Sequence, residues 1–214
     1  SKFTREYICV PISTNTMLFA PDAIKACKNP YASLESVAKE GFQYYIGYDP
    51  AISANGDYTV MMVLEVDEDM NKQVVHMLRA KGLDFREHIQ HIMELCRRYQ
   101  PEIVMIETNT FAKAFAMELK SISDFPVKEF TMLNLQMNID NGKIVLPTQN
   151  ENSRGVTNMI VQELGAFGIN AHGKIEGVGA HDDIVIALAL ANYATKTFTD
   201  TFLDIDSSGL FNSS

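Results

Sequence analysis

Carboxylates stand where three apolar segments begin or end: Asp49 closes the run YYIGYD, Glu107 closes IVMIE, and Asp182 and Asp183 open HDDIVIALALA. Segments this apolar belong in a core, which restricts the acids at their ends. An isolated carboxylate taken out of water costs several kcal/mol, and two carboxylates about 4 Å apart repel by roughly 4 kcal/mol at an effective dielectric near 20. A fold that keeps these acids near its core must therefore supply compensating positive charge. Divalent cations do so. Ligation by oxygen alone suits magnesium or manganese, and a pair of such ions activates water and stabilises the leaving oxygen in phosphodiester cleavage.

Each acid also has a plain structural reading. Asp49 shares a strand face with Tyr45 and Gly47 and precedes Pro50, so it is either a strand-end ligand or an Asp-Pro turn residue. Glu107 has the parity of Ile103 and Met105 in a segment that reads as buried, where a lone Glu is seldom found unless paired; the alternative is a side chain that snorkels from the strand end. Asp182 and Asp183 suit a helix N-terminus, although two adjacent acids exceed what one cap requires. Asp57, in Asn55-Gly56-Asp57, is either a fourth ligand or a turn residue.

The pattern between these acids gives the fold class. Segments 42–48, 58–66 and 73–79 are rich in aromatic and β-branched residues and are separated by polar turns, which predicts three antiparallel strands. Asp84 is a plausible N-cap for a helix with Phe85, Ile89, Ile92, Met93 and Cys96 on one face, stopped by Pro101. A buried strand at 103–107, a helix at 110–121 and a strand at 127–131 follow. Hairpins followed by βαβ units predict an α/β domain with a mixed central sheet and helices packed on it. Beyond lie a polar loop (134–142), a strand (143–146), a helix from Glu151 to about Gly168, a hairpin over 169–178 and a closing amphipathic helix over 182–197. Residues 1–40 lack a clear period and read as a linker or the end of a preceding domain, 41–198 as the main domain, and 199–214 as a mobile tail.

Composition sets further limits. A chain of 214 residues with 46% hydrophobic content can bury a full core. Its longest uncharged apolar run, Ile184 to Ala191, falls far short of a membrane span, and the N-terminus shows no secretory pattern, so a cytoplasmic location is expected. Cys9, Cys27 and Cys96 form neither a disulfide framework nor a zinc motif. The net charge of −9 runs against nonspecific nucleic-acid binding, yet Arg79, Lys81, Lys113, Lys143, Arg154 and Lys174 offer local positive charge for a phosphate track. The chain opens on Ser rather than Met and is expected to be part of a longer polypeptide.

The order DPA…GDYT, a buried strand ending IETN, and HDDIVIALALA before a closing helix resembles the ribonuclease H-like nuclease domain of the large terminase subunit of tailed bacteriophages. The resemblance covers about residues 42–197, and the last motif is its most specific part. It implies a metal-dependent endonuclease that cuts double-stranded DNA during genome packaging, with low sequence specificity and two Mg2+ or Mn2+ ions. Asp49 resembles the family's first-strand aspartate, Glu107 its fourth-strand acid, and Asp182 and Asp183 its helix-borne aspartates, while Asp57 matches a further aspartate of some members. His181 would polarise water or a phosphate, or simply cap a turn. Lys174, in a hairpin that resembles an element gating DNA access, is a candidate phosphate contact beside Lys143 and Arg154. REYICVPI resembles the junction after an ATPase domain, but no GxxxxGK[ST] loop is present. The implied partners are DNA, that ATPase domain, the portal and the small terminase subunit, in the cytoplasm of an infected bacterium, with no membrane. A Holliday-junction resolvase, a noncatalytic packaging scaffold and a nucleotide-binding module of the actin and sugar-kinase type are the competing readings. The last lacks its tight Asp-x-Gly-x-Thr phosphate turn here.

Overall fold

Aromatic and β-branched residues fill the segment from Gln43 to Ala80, and it folds as the three antiparallel strands that they predict. In the computed structural model, which describes residues 16–51, 57–107, 133–169, 175–177 and 181–208, the first elements are β1 (Thr16–Met17), α1 (Pro21–Ala26), β2 (Lys28–Asn29), β3 (Gln43–Asp49), β4 (Thr59–Val66), β5 (Lys72–Ala80) and α2 (Phe85–Tyr99). After them come β6 (Ile103–Ile106), α3 (Leu133–Asp140), β7 (Ile144–Pro147), α4 (Glu151–Ala166), β8 (Phe167–Ile169), β9 (Ile175–Gly177) and α5 (Asp183–Ser208).

Among the described residues six strands form one mixed sheet in the order β2-β7-β5-β4-β3-β6, and β1, β8 and β9 form a small antiparallel one. Strand β3 is antiparallel to β4 and parallel to β6; β7 adds parallel to β5, and β2 parallel to β7. Alternation along β3 sends Tyr44, Ile46 and Tyr48 to one face, under Ile92, Leu95, Cys96 and Tyr99 of α2. The other parity, with Tyr45 on β3 and Val60, Met62 and Leu64 on β4, faces the helices α3, α4 and α5. Helices thus cover both faces of the sheet.

Helix α5 packs unusually close. A Cβ added at Gly47 would lie 2.0 Å from the Ala187 carbonyl oxygen and 2.4 Å from the Ala191 nitrogen, so the helix backbone rests directly on the strand backbone. Only glycine leaves that room, and the small Ala187 and Ala191 complete the contact. Helix α2 starts as its sequence predicts. The Asp84 side chain accepts the Glu87 N–H at 2.8 Å while Glu87 accepts the Asp84 N–H at 2.8 Å, a reciprocal capping box.

The structure adds to or corrects four expectations. Within residues 1–40, expected as a linker or the end of a preceding domain, residues 16–32 pack on this domain: β1 pairs with β8, β2 pairs with β7, and Phe19, Ile24, Cys27 and Ala32 are buried. Two-residue strands leave no period for a sequence to display. The stretch expected as a polar loop at 134–142 contains α3, because Leu135 and Ile139, one turn apart, both bury. The buried face of α2 is His88, Ile92, Leu95, Cys96 and Tyr99, rotated from the expected one, and Phe85 is exposed. Helix α5 continues past residue 197 to Ser208, into the stretch expected as a mobile tail. The helix expected at 110–121 and the strand expected at 127–131 lie outside the described residues. Among the described residues, Cys27 and Cys96 are free and buried, and no helix is long and apolar enough to cross a membrane.

Candidate active site

The register of β3 against β6 pairs Tyr48 with Ile106, and the Glu107 N–H continues the ladder by donating to the Tyr48 carbonyl at 3.1 Å. Asp49 and Glu107 therefore leave the sheet side by side at the carboxyl ends of two parallel strands. Both have the parity of the α5 face. Asp49 is buried, and its carboxyl hydrogen-bonds that of Glu107. Burial, then the charge of Glu107, pushes the Asp49 carboxyl well above the usual carboxylate range, and Asp183 and Asp182 add to the effect. Behind Asp49 the chain is clasped: the Thr59 hydroxyl accepts the Ala51 N–H and donates to the Ala51 carbonyl, both at 3.1 Å.

Asp183 reaches this corner because α5 lies across β3, pinned at Gly47, with its N-terminus toward the Asp49 end. It is only 3% exposed, and its Oδ2 accepts the Tyr58 N–H at 3.1 Å. Burial raises its carboxyl, the Tyr58 bond opposes that, and nearby Asp57 pushes it up again. Asp182 is half-buried, and its carbonyl accepts the Ile186 N–H at 3.0 Å at the start of α5. The Ile184 N–H, an orphan donor at that helix end, goes instead to the Glu163 carboxylate of α4 at 2.8 Å. Capping therefore does not account for both aspartates. His181 Nδ1 stands 3.6 Å from Asp183 Oδ2, and its ring meets Tyr58 edge-on with centroids 4.9 Å apart. Asp57 itself is exposed.

This donor set fits a hard divalent cation. It offers carboxylate oxygens only, and the raised Asp49 and Asp183 carboxyls mark negative charge that protein groups leave poorly compensated. Among the described residues no three acid, histidine or cysteine side chains already converge as a single ligand group. The preformed part is the Asp49–Glu107 pair, with Asp183 and Asp182 as charged neighbours.

The nominated basic residues are distributed differently. Lys143 Nζ donates to the Asp69 carbonyl at 2.9 Å, and its own carbonyl accepts the Lys72 N–H at 2.8 Å, at the opposite end of the meander from Asp49. The Arg154 guanidinium serves the Thr148 and Gln149 carbonyls, each at 3.3 Å, at the start of α4. Lys174 lies outside the described residues. Arg79 and Lys81, by contrast, gather at Tyr58: Arg79 Cζ is 3.3 Å and Lys81 Nζ 4.2 Å from the ring centroid, and Arg79 also lies 3.5 Å from Glu163. Sequence reasoning missed Glu163 and Tyr58. Glu163 carries no local signal, since its partner is the N–H of a helix about twenty residues onward; Tyr58 acts through its backbone.

A mixed sheet with helices on both faces and paired acids at the ends of neighbouring parallel strands defines an RNase H-like α/β domain. The chain belongs to the terminase RNase H-like domain family, whose model matches residues 46–194. Among solved structures, the large terminase nuclease of thermophilic phage G20c with bound magnesium is 21% identical with a TM-score of 0.64, over 85% of this chain and 98% of that one. The large terminase nuclease domain of Thermus phage P74-26 is 22% identical with a TM-score of 0.59, over 80% and 92%. The large terminase of thermophilic bacteriophage D6E is 12% identical with a TM-score of 0.64, and its match takes in 91% of this chain but 49% of that protein. No curated protein sequence matches significantly.

Proposed function

We propose that this chain is a metal-dependent endonuclease that cuts double-stranded DNA during viral genome packaging. The observation that carries the reading is the pairing of the buried Asp49 carboxyl with Glu107 at the ends of two adjacent parallel strands, with the buried Asp183 nearby, its carboxylate held by the Tyr58 N–H. Membership of the terminase family and the similar G20c nuclease structure with bound magnesium support it. G20c nuclease structures with bound cobalt and zinc support a site for divalent ions generally.

Asp49, Glu107 and Asp183 would hold two Mg2+ or Mn2+ ions, with Asp182 or Asp57 binding directly or through water. When bound, such ions supply a water activated for in-line attack on phosphorus and a counter-charge for the departing 3′ oxygen. The chain's own residues prepare that chemistry. Asp49 and Glu107 set two carboxyls side by side, and a cation bound there would take the place of the proton that the raised Asp49 carboxyl retains. Tyr58 fixes the orientation of Asp183 through its N–H. Glu163 satisfies the end of α5, so the Asp183 carboxylate need not turn inward as a cap. His181, whose Nδ1 stands 3.6 Å from Asp183 Oδ2, would polarise water or a phosphate there.

Contacts to the DNA backbone rather than to base edges account for low sequence specificity. The wider setting is proposed by resemblance to the family. A D6E large terminase of about twice this length was solved with ATP-γ-S, which supports an ATPase domain as partner, and the portal, the small terminase subunit and the infected bacterial cytoplasm complete the proposed context.

The test is nicking of supercoiled plasmid by the purified chain with Mn2+, beside Asp49→Asn. The parent is expected to nick and linearise the plasmid and the variant to leave it supercoiled. Equal activity in both would refute the role assigned to Asp49.

A further inference from the structure

We propose that Arg79 and Lys81, gathered around Tyr58, form a DNA-backbone subsite that grips a phosphate flanking the one cut at the acids; this rests on the nuclease reading above. Register supplies the geometry. Asp49 pairs with Val60, and Val60 pairs with Arg79, so the three lie in one row across β3, β4 and β5. Directly paired residues share a face, which puts Arg79 on the α5 side with Asp49, two strand spacings or about 10 Å away. Lys81 has the same parity, just past the end of β5.

The charge distribution there calls for an anion. In a chain of net charge −9, two cations sit within 4.2 Å of one ring centroid, where they repel each other. Attraction to the ring, about 0.5–1 kcal/mol per exposed cation, only partly offsets this. Glu163 is the only carboxylate among the described residues that pairs with Arg79, at 3.5 Å, and the same side chain already accepts the Ile184 N–H. Lys81 is exposed and ion-pairs with no carboxylate among the described residues. Arg79 Nε is buried without a hydrogen-bond acceptor among them.

A guanidinium and an ammonium held on one aromatic ring suit a phosphate diester: the guanidinium supplies N–H donors as well as charge, and the lysine adds a point charge. The subsite is also tied to the acids. The N–H of Tyr58, whose ring carries both cations, holds Asp183 Oδ2, so a phosphate seated there shares a residue with a proposed metal ligand.

The experiment measures binding of a duplex oligonucleotide with Mg2+ in the Asp49→Asn background, which leaves the DNA uncut, across a range of NaCl. A cation that no longer neutralises its phosphate flattens the slope of log affinity against log salt by about 0.9. Lys81→Gln and Arg79→Gln are each expected to flatten it by about that much. Lys25→Gln, which removes one exposed charge from α1, is expected to keep the full slope. In the chain with Asp49 intact, Lys81→Gln is expected to raise KM for duplex and leave kcat unchanged, which a purely structural role would not do. A parent that cleaves plasmid while both variants keep the parental slope would overturn the subsite and leave the nuclease reading standing. A parent that neither binds nor cleaves duplex would overturn both.

Discussion

Asp49 illustrates how one side chain can serve activity at the expense of the fold. A buried carboxyl beside a second one is tolerable when the two share a proton or hold a cation, and costly when both are ionised. Asp49→Asn keeps the shape, is neutral without taking up a proton, and gives Glu107 an N–H donor. At neutral pH, above the pKa of an unfolded aspartate and below that of the folded one, the parent must protonate Asp49 to fold without metal. The variant is therefore expected to melt higher, by roughly 2–4 °C for each kcal/mol of that cost removed, although it no longer cleaves. Thermal unfolding in EDTA checks this, and a lower melting temperature would remove the protonation argument. At this scale the sequence was informative wherever a residue's role followed from parity. Glu107 was suspect because it continued the buried face of Ile103 and Met105, and Asp84 with Glu87 formed a capping box at the spacing that such a box requires. Glu163 was silent, because its meaning depends on where a different helix begins.

Among the elements, α5 is the decisive one, since it alone brings Asp183 to the strands. Gly47→Ala would drive a methyl into the backbone of that helix, where no flexible side-chain end can yield. The expected result is a loss of stability toward the upper end of about 1–3 kcal/mol, with cleavage falling further than stability as Asp183 moves away from Asp49. Denaturant unfolding and plasmid nicking measured on the same preparation check it; a variant with parental stability would mean that the two backbones separate freely. The abundance of alanine in α5 foretold a close approach to the sheet, but not which strand residue would receive it. Helix α3 stayed hidden because a Leu135–Ile139 pair in an otherwise polar stretch is too little periodicity to stand out. The basic residues divided on register, which sequence does not give: Lys143 falls at one end of the meander and Arg79 at the other.

For the molecule as a whole, the acids Asp49, Glu107 and Asp183 gather at one corner of the sheet, and among the described residues the short strand β2 extends the sheet beyond β7. The meander and the switch to parallel pairing were legible from the order of patterned segments; the contribution of residues 16–32 was not, since β1 and β2 acquire meaning only beside β8 and β7. If the corner binds divalent ions, then metal that binds the folded chain and not the unfolded one stabilises it by mass action, about 2.7 kcal/mol at a hundred times the dissociation constant. Titrating Mg2+ or Mn2+ is thus expected to raise the melting temperature of the parent steadily and that of Asp49→Asn much less. Equal shifts in both would place the ion elsewhere. The contact beneath α5 bears on how dependable such a corner is. With no side chain between strand and helix at Gly47, the gap that separates the acids is gauged by two main chains touching, and a rotamer hop elsewhere in the core has no lever with which to widen it.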